Sequence, residues 1–261
     1  MTLVITPRRF SGAVRIPASA DFSLAVFAAA AAAISGGSVD LLGIDPEAEN
    51  VFFFFLEKMG CKLRWDQIPL RQIPHECLSV ERVTAERIPL GEDIIEELHP
   101  FGLHALGVQL PGLHFAEWQL TVSRNGSLAG GKFDLGDTPD LLPLFAAVAC
   151  FAKGDTCLVY PASGRAAEIG NVTIITKELR KLGVKISELS NELVIHGTGK
   201  IPKGEALSPN SSLKLDAHND PMVFMALACA ALGCPFSVEI TGKEVALAAY
   251  QDFLKMLAGP D

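Results

Sequence analysis

One pattern recurs along this chain: an apolar helix of small residues, a Gly turn and a β-rich run, twice followed by a second helix closing on Lys-x-Gly. The first copy runs from Ala28 to Ile34, through Gly36-Gly37 to Val39-Asp40-Leu41-Leu42, then Leu56-Glu57-Lys58-Met59-Gly60. The second runs from Ala146 to Phe151, through Thr156-Cys157-Leu158-Val159, to Glu178-Leu179-Arg180-Lys181-Leu182-Gly183. The third runs from Ala226 to Leu232, through Phe236 to Ile240, and ends in a helix over Tyr250 to Leu257 without the closing Gly. A repeated unit cannot bury its apolar face by itself, so the copies must stack on one another.

Within this frame the local signals are readable. Arg9 to Ile16 reads as a strand, with Ser19 or Asp21 placed to cap the Ala-rich helix that follows. Phe52 to Phe55 reads as helix, because Pro46 precedes it and Gly60 stops it. Gly130-Gly131-Lys132 reads as a turn. Residues 66–115 break the repeat with five prolines and His75, His99, His104 and His114. Trp118 to Val122 pairs with Lys62 to Trp65 as a hairpin, making 66–115 an insertion in its loop within one domain spanning 1–261. Those histidines lack convergent ligand spacing, so neither a metal nor a cofactor is expected.

Composition excludes several classes. A formal net charge of −8 argues against nucleic acid, whose phosphates need clustered Lys and Arg. The stretch Phe22 to Ile34 is shorter than the roughly 20 apolar residues of a membrane span. The six cysteines lie mostly in apolar runs without zinc spacing, and read as buried free thiols in a reducing, cytoplasmic setting.

The sharpest motif is Asp137-Thr138-Pro139-Asp140 ahead of a buried helix, where Asp137 or Asp140 serves as a cap or as an acid/base at a strand end. Together with Glu178 to Gly183 and Asn219-Asp220, in that order, it resembles the EPSP synthase (3-phosphoshikimate 1-carboxyvinyltransferase) family over residues 10–65 and 118–258. The resemblance implies an inside-out, barrel-like α/β fold of βαβαββ units, three of them here, similar to the family's C-terminal half. It implies a transferase of the shikimate pathway, which joins phosphoenolpyruvate to shikimate 3-phosphate in a cleft between two halves.

Carried over by position, the acid/base carboxylates fall on Asp140 and Glu168, and substrate-binding positions on Arg165, Asn171, Asn219 and Asp220. Where the family pattern has further cations or a histidine, this chain has Ala167, Asn171, Pro221, Met222 and Ala248. Neutral side chains do not replace Arg–phosphate contacts. Two readings follow: a half-enzyme, inactive by itself, that meets a companion N-terminal half or a second copy around a small anionic substrate, and a non-catalytic binding or assembly module. Relatives acting on UDP-N-acetylglucosamine or on RNA 3′-phosphate ends share the implied fold but fit Asp-Thr-Pro-Asp less well.

If 66–115 is an insertion, deleting residues 70–113 and joining the hairpin leaves one cooperative unfolding transition and most of the stability in a urea titration. Failure of the shortened chain to fold would place the segment in the core.

Overall fold

The structure, a computed structural model, describes residues 2–15, 23–44, 46, 51–69, 116–136, 138–161, 166–202, 212–242 and 244–258. Asp137, Arg165, Cys77, the four histidines between 66 and 115 and the expected caps Ser19 and Asp21 lie outside the described residues.

Three helices form the middle. They are α1 (Ser23–Ser35), α3 (Leu142–Ala149) and α5 (Pro221–Leu232); α2 (Val51–Lys58) lies at their flank, and α4 (Ala166–Arg180) precedes α5 in the chain. Helices α1, α3 and α5 pack against one another and are buried nearly all round. No polar face exists on them because their sequences have none: alanine suits a helix crowded on every side and is the best intrinsic helix former. Their C-terminal ends converge. A Cβ added to Gly233, just past α5, would sit 2.5 Å from Phe151 and 2.7 Å from Ile34. Only glycine fits there.

Three sheets surround these helices. The first has β2 (Ser11–Arg15), β3 (Ser38–Leu42), β4 (Lys62–Pro69) and β5 (Ala116–Ser123) in the order β2-β3-β5-β4. Strands β2 and β3 are parallel, joined through α1; β5 is antiparallel to both β3 and β4. Parallel neighbours require such a crossover. At its end Gly36 takes φ +73°, and Gly37 lies so close to the Phe10 carbonyl that a side chain there would collide with it.

The second sheet repeats this order with β6 (Leu128–Ala129) and β7 (Lys132–Asp134) both on β8 (Ala152–Val159), followed by β10 (Glu192–Thr198) and β9 (Lys185–Glu188). Gly130-Gly131 is therefore not a reversing turn. The chain continues along β8 in the same direction on either side of it, and Gly130 packs against the Asp155 carbonyl, where a Cβ would lie at 2.3 Å. The two glycines interrupt one strand position instead of joining two.

The third sheet is β11 (Leu213–Asp216), β12 (Val238–Thr241) and, antiparallel to β12, β1 (Thr2–Ile5) from the other end of the chain. Strand β1 thus stands where β5 and β10 stand in the other sheets. The third repeat ends in α6 (Glu244–Ala258), kinked at Tyr250, and its antiparallel strand comes from the N-terminal residues. Alternation carries the pairing: Leu3 and Ile5 are buried, Thr2 and Val4 exposed.

The hairpin β4–β5 runs from Lys62 opposite Ser123 to Pro69 opposite Ala116. It takes in 66–69, which the sequence pattern assigned to the insertion, because a regular ladder continues through Asp66, Gln67 and Ile68 despite their polar alternation. The Phe run is helical. Phe52, Phe53 and Phe55 are buried, Phe52 and Phe55 stacking edge-on with Phe145 of α3 at 5.1 and 4.4 Å, while exposed Phe54 carries the Lys58 ammonium over its ring at 5.1 Å.

Of the described cysteines, Cys61, Cys150, Cys229 and Cys234 are buried and free; Cys157 is free and half-buried. Burial raises the Cys61 thiol to about 11 and Cys234 to about 12. Such thiols stay protonated and pack as small apolar groups. No described helix is long and apolar enough to cross a membrane.

The closing role of β1 is testable. Ile5→Ala, at a fully buried position, destabilises the protein by about 2–4 kcal/mol, whereas Val4→Ala, facing solvent, changes stability by about 0.5 kcal/mol or less. Equal, small effects in urea titrations would show that β1 does not complete the sheet.

Candidate functional site

Each βαβ crossover brings a strand's C-terminal end beside the N-terminus of the next helix, and in the third sheet these ends enclose a pocket of 420 Å³. Its walls are Thr2 of β1, Asp216 ending β11, His218 and Asn219 in the following turn, Thr241 ending β12, Gly242, and Glu244 at the start of α6. Parallel strands end together here, so a site at this edge gathers residues far apart in sequence.

The turn between β11 and α5 is unusually constrained. His218 has φ 50° and Asn219 φ 61°, left-handed values that cost a non-glycine residue about 1–2 kcal/mol. Two interactions hold them. The Asp216 carboxylate accepts the His218 N–H at 2.8 Å, and the Asp220 carboxylate accepts the Val223 N–H at 2.8 Å as the N-cap of α5. Pro221 occupies the first helical position, where its missing N–H costs nothing. The His218 N–H, followed against burial by the Thr241 hydroxyl, the His218 ring and Lys181, holds the Asp216 carboxyl below its ordinary range. Asp216 is therefore ionised at neutral pH.

Beneath the turn lies Glu178, fully buried in the last turn of α4. Its Oε2 accepts from Lys181 Nζ at 2.6 Å and from the Asp216 N–H at 2.9 Å. The Lys-x-Gly closing signature of the second repeat thus tethers the third sheet.

The other expected site residues are placed as follows. Asp140 is exposed, within a 3₁₀ turn at Pro139–Leu141 ahead of α3, and is not part of the pocket wall. It is not a helix cap either: the caps of the 3₁₀ turn and of α3 are Thr138 and Leu141, and neither makes a side-chain cap bond. Glu168 and Asn171 fall in the first turns of α4; their side chains, like Arg165, lie outside what the structure describes. Asn219 lines the pocket, and Asp220 is engaged as a cap beside it. Met222, half-buried, packs against the core.

Sequence reasoning missed Asp216, His218, Thr241 and Thr2. The signal for the first two was adjacency to Asn219-Asp220, but Thr2 and Thr241 come together only through the β1–β12 ladder. It also missed a cross-strand chain on the second sheet, in which His196 Nδ1 lies 2.9 Å from Asp155 and Nε2 lies 3.3 Å from Ser187 Oγ. Asp155 is 69% exposed there. A hydrolytic triad needs a buried carboxylate and oxyanion donors beside the serine, so this chain reads as ladder stabilisation. Among the described residues no group of His, Cys, Asp and Glu is arranged to hold a metal ion.

Comparison with known proteins decides the ancestry. Residues 113–257, more than half of the chain, match the family model "EPSP synthase (3-phosphoshikimate 1-carboxyvinyltransferase)". This chain belongs to the EPSP synthase family. It is 28% identical over 254 residues to the 3-phosphoshikimate 1-carboxyvinyltransferase of Syntrophobacter fumaroxidans, covering 96% of this chain and 46% of that protein. With the enzyme of the same name from Halorubrum lacusprofundi it shares 34% identity over 135 residues, 52% of this chain and 28% of that one. The fold is similar to that of the solved EPSP synthase of Acinetobacter baumannii, with a TM-score of 0.61 at 20% identity, over 92% of this chain and 46% of that chain. The chain spans less than half the length of these relatives, and is an α/β, carboxyvinyltransferase-like domain.

Two outcomes follow from the turn. Asp220→Ala removes the cap of α5 and costs about 1 kcal/mol, most of it restored by Asn. Because folding depresses the Asp216 carboxyl, its contribution is complete above the ordinary Asp range near 3.8 and is lost as pH falls through the lower folded value. Asp216→Asn therefore flattens the acid limb of a stability–pH profile; an unchanged limb would remove Asp216 from this role.

Proposed function

We propose that this chain forms one wall of a carboxyvinyltransferase of the EPSP synthase type and does not carry out the transfer by itself. One observation supports this most directly: the described residues lining the pocket beside Asn219 include the Asp216 and Glu244 carboxylates and neither Lys nor Arg. Phosphoenolpyruvate carries a carboxylate and a phosphate, and the ionised Asp216 carboxylate repels both. The neutral residues Ala167, Asn171, Met222 and Ala248, with Pro221, stand where the family resemblance expects cations and a histidine. The missing positive charge then has to come from across a cleft, from a companion half or a second copy. The fully buried helices fit this division, since the three sheets close around them without a second half. In this reading Asp140, exposed at the approach to α3, remains the acid/base group together with Glu168, and Arg165 supplies the retained cation. The same neutralised positions favour a second reading, in which the family scaffold serves as a binding or assembly module.

A phosphate-release assay with phosphoenolpyruvate and shikimate 3-phosphate separates these readings. The chain by itself shows no turnover, and addition of a polypeptide comprising the first half of an EPSP synthase produces turnover that Asp140→Asn abolishes. Turnover by the unaccompanied chain, lost in Asp140→Asn, would overturn the one-wall reading. Absence of turnover in the mixture, with complex formation intact, would favour the assembly module.

A further inference from the structure

The pocket at the end of the third sheet holds a polar arrangement that its own hydrogen bonds leave incomplete. Glu178 is fully buried, and while its Oε2 accepts two hydrogen bonds, its Oε1 has no hydrogen-bond partner among the described residues. A buried acceptor left in this way costs about 1–3 kcal/mol, more when charged. The group facing it is the His218 ring, whose Nε2 lies 3.5 Å away and whose side chain is 35% exposed at the pocket wall. Directing an Nε2–H at Glu178 relieves the penalty with a small ring movement. In the neutral ring that fixes the tautomer and leaves Nδ1 as an acceptor. Nδ1 has no protein partner among the described residues.

Among the described residues the charged and titratable groups around the ring are Glu178 and Lys181 from α4 and its end, Asp216 from β11, and, from α6 across the pocket, Glu244, whose carboxyl a hydrogen bond from the N-terminal ammonium holds below its ordinary range. Lys181 is committed to Glu178 at 2.6 Å, and the ionised Asp216 stands beside the ring with capacity to accept further bonds. The Asn219, Thr2 and Thr241 side chains complete the wall. Acceptors dominate among the described lining groups, and the volume of 420 Å³ accommodates a six-membered ring or a branched polyol. An anion would meet Asp216 directly, with Glu178 behind it.

We propose that this pocket binds a small molecule through its hydroxyl or ammonium protons, with His218 Nδ1 and the Asp216 carboxylate as acceptors. Glu178 is the positioning residue that sets the imidazole tautomer. The inference is independent of carboxyvinyl transfer, because it concerns this chain with neither donor nor companion present, and it stands or falls on binding.

The test uses the full chain, labelled with ¹⁵N. Long-range ¹H–¹⁵N spectra of the neutral ring show His218 as the Nε2–H tautomer, and Glu178→Gln mixes or reverses the tautomers. A merely structural carboxylate would not move this signature. Titration with myo-inositol, a neutral polyol, and with Tris, a hydroxylated ammonium ion, shifts the backbone amides of Asp216, His218, Thr241 and Gly242 in a saturable way. A response to inositol assigns the donors to hydroxyls; a response to Tris only assigns them to ammonium. Either supports the site. Glu178→Gln weakens that binding about fivefold, the size of one net hydrogen bond. If Glu178→Gln does not fold, the tautomer and the titrations in the unmodified chain decide. An Nδ1–H tautomer, saturable binding of inorganic phosphate in place of both donors, or no response to either donor at tens of millimolar would overturn the proposal.

Discussion

Everything in this structure depends on three apolar helices being able to approach one another closely. Residues Ala28 to Ala33 of α1, Ala146 to Ala149 of α3 and Ala226 to Leu232 of α5 are each buried to the last side chain. Small side chains let the helix axes draw together until dispersion contacts are made on every side, and larger ones would hold them apart. The convergence at Gly233, against Phe151 and Ile34, is the tightest point of this contact. Because the helices occupy the middle, each sheet lies outside and covers them with one face. The sheets are thus organised by the helices rather than the reverse.

That arrangement sets where chemistry is available. The C-terminal helix ends are consumed in mutual packing, so free helix N-termini and strand ends are the places where polar groups gather. In the third sheet this edge collects Asp216, His218, Asn219, Thr241 and Glu244 around one pocket. The turn carrying them is strained at His218 and Asn219 and is held by Asp216 and Asp220, with Glu178 of the second repeat bonded beneath it. The repeats are therefore coupled through a buried carboxylate as well as through apolar packing. Glu178 belongs to the segment Glu-Leu-Arg-Lys-Leu-Gly that marks the repeat in sequence, and its charge is neutralised by Lys181 one turn later. A feature that looks like an ordinary amphipathic helix end is part of the foundation of the pocket.

The acidic character of this edge bears on the family to which the chain belongs. An enzyme that handles phosphoenolpyruvate concentrates cations where its substrates meet. Here the described lining supplies carboxylates, amide, hydroxyls and one imidazole. The proposals of a one-walled half and of a donor-binding pocket both start from the carboxylates of this described lining. They separate experimentally, because the first needs a companion and the second does not.

The sequence by itself determined the α/β class, the three repeats and the buried helices, because alanine runs, glycine stops and alternating strands act within a few residues. The helical state of Phe52 to Phe55 and the hairpin between Lys62 and Ser123 were legible for the same reason. That Asp220 caps α5 emerged from the structure, although Asp before Pro at a helix start is a local signal. Other features were decided only by tertiary structure. Whether Gly130-Gly131 turned the chain or merely interrupted a strand depended on which partner β6 and β7 shared. That Asp140 is not a cap depended on the 3₁₀ turn that precedes α3. Strand β1 joined the third sheet through contacts spanning nearly the whole chain, Thr2 against Thr241, which no local pattern encodes. The pocket followed from that closure, and the meeting of Glu178 with His218 likewise: a buried charge seeks its partner in space, and sequence separation does not constrain which one it finds.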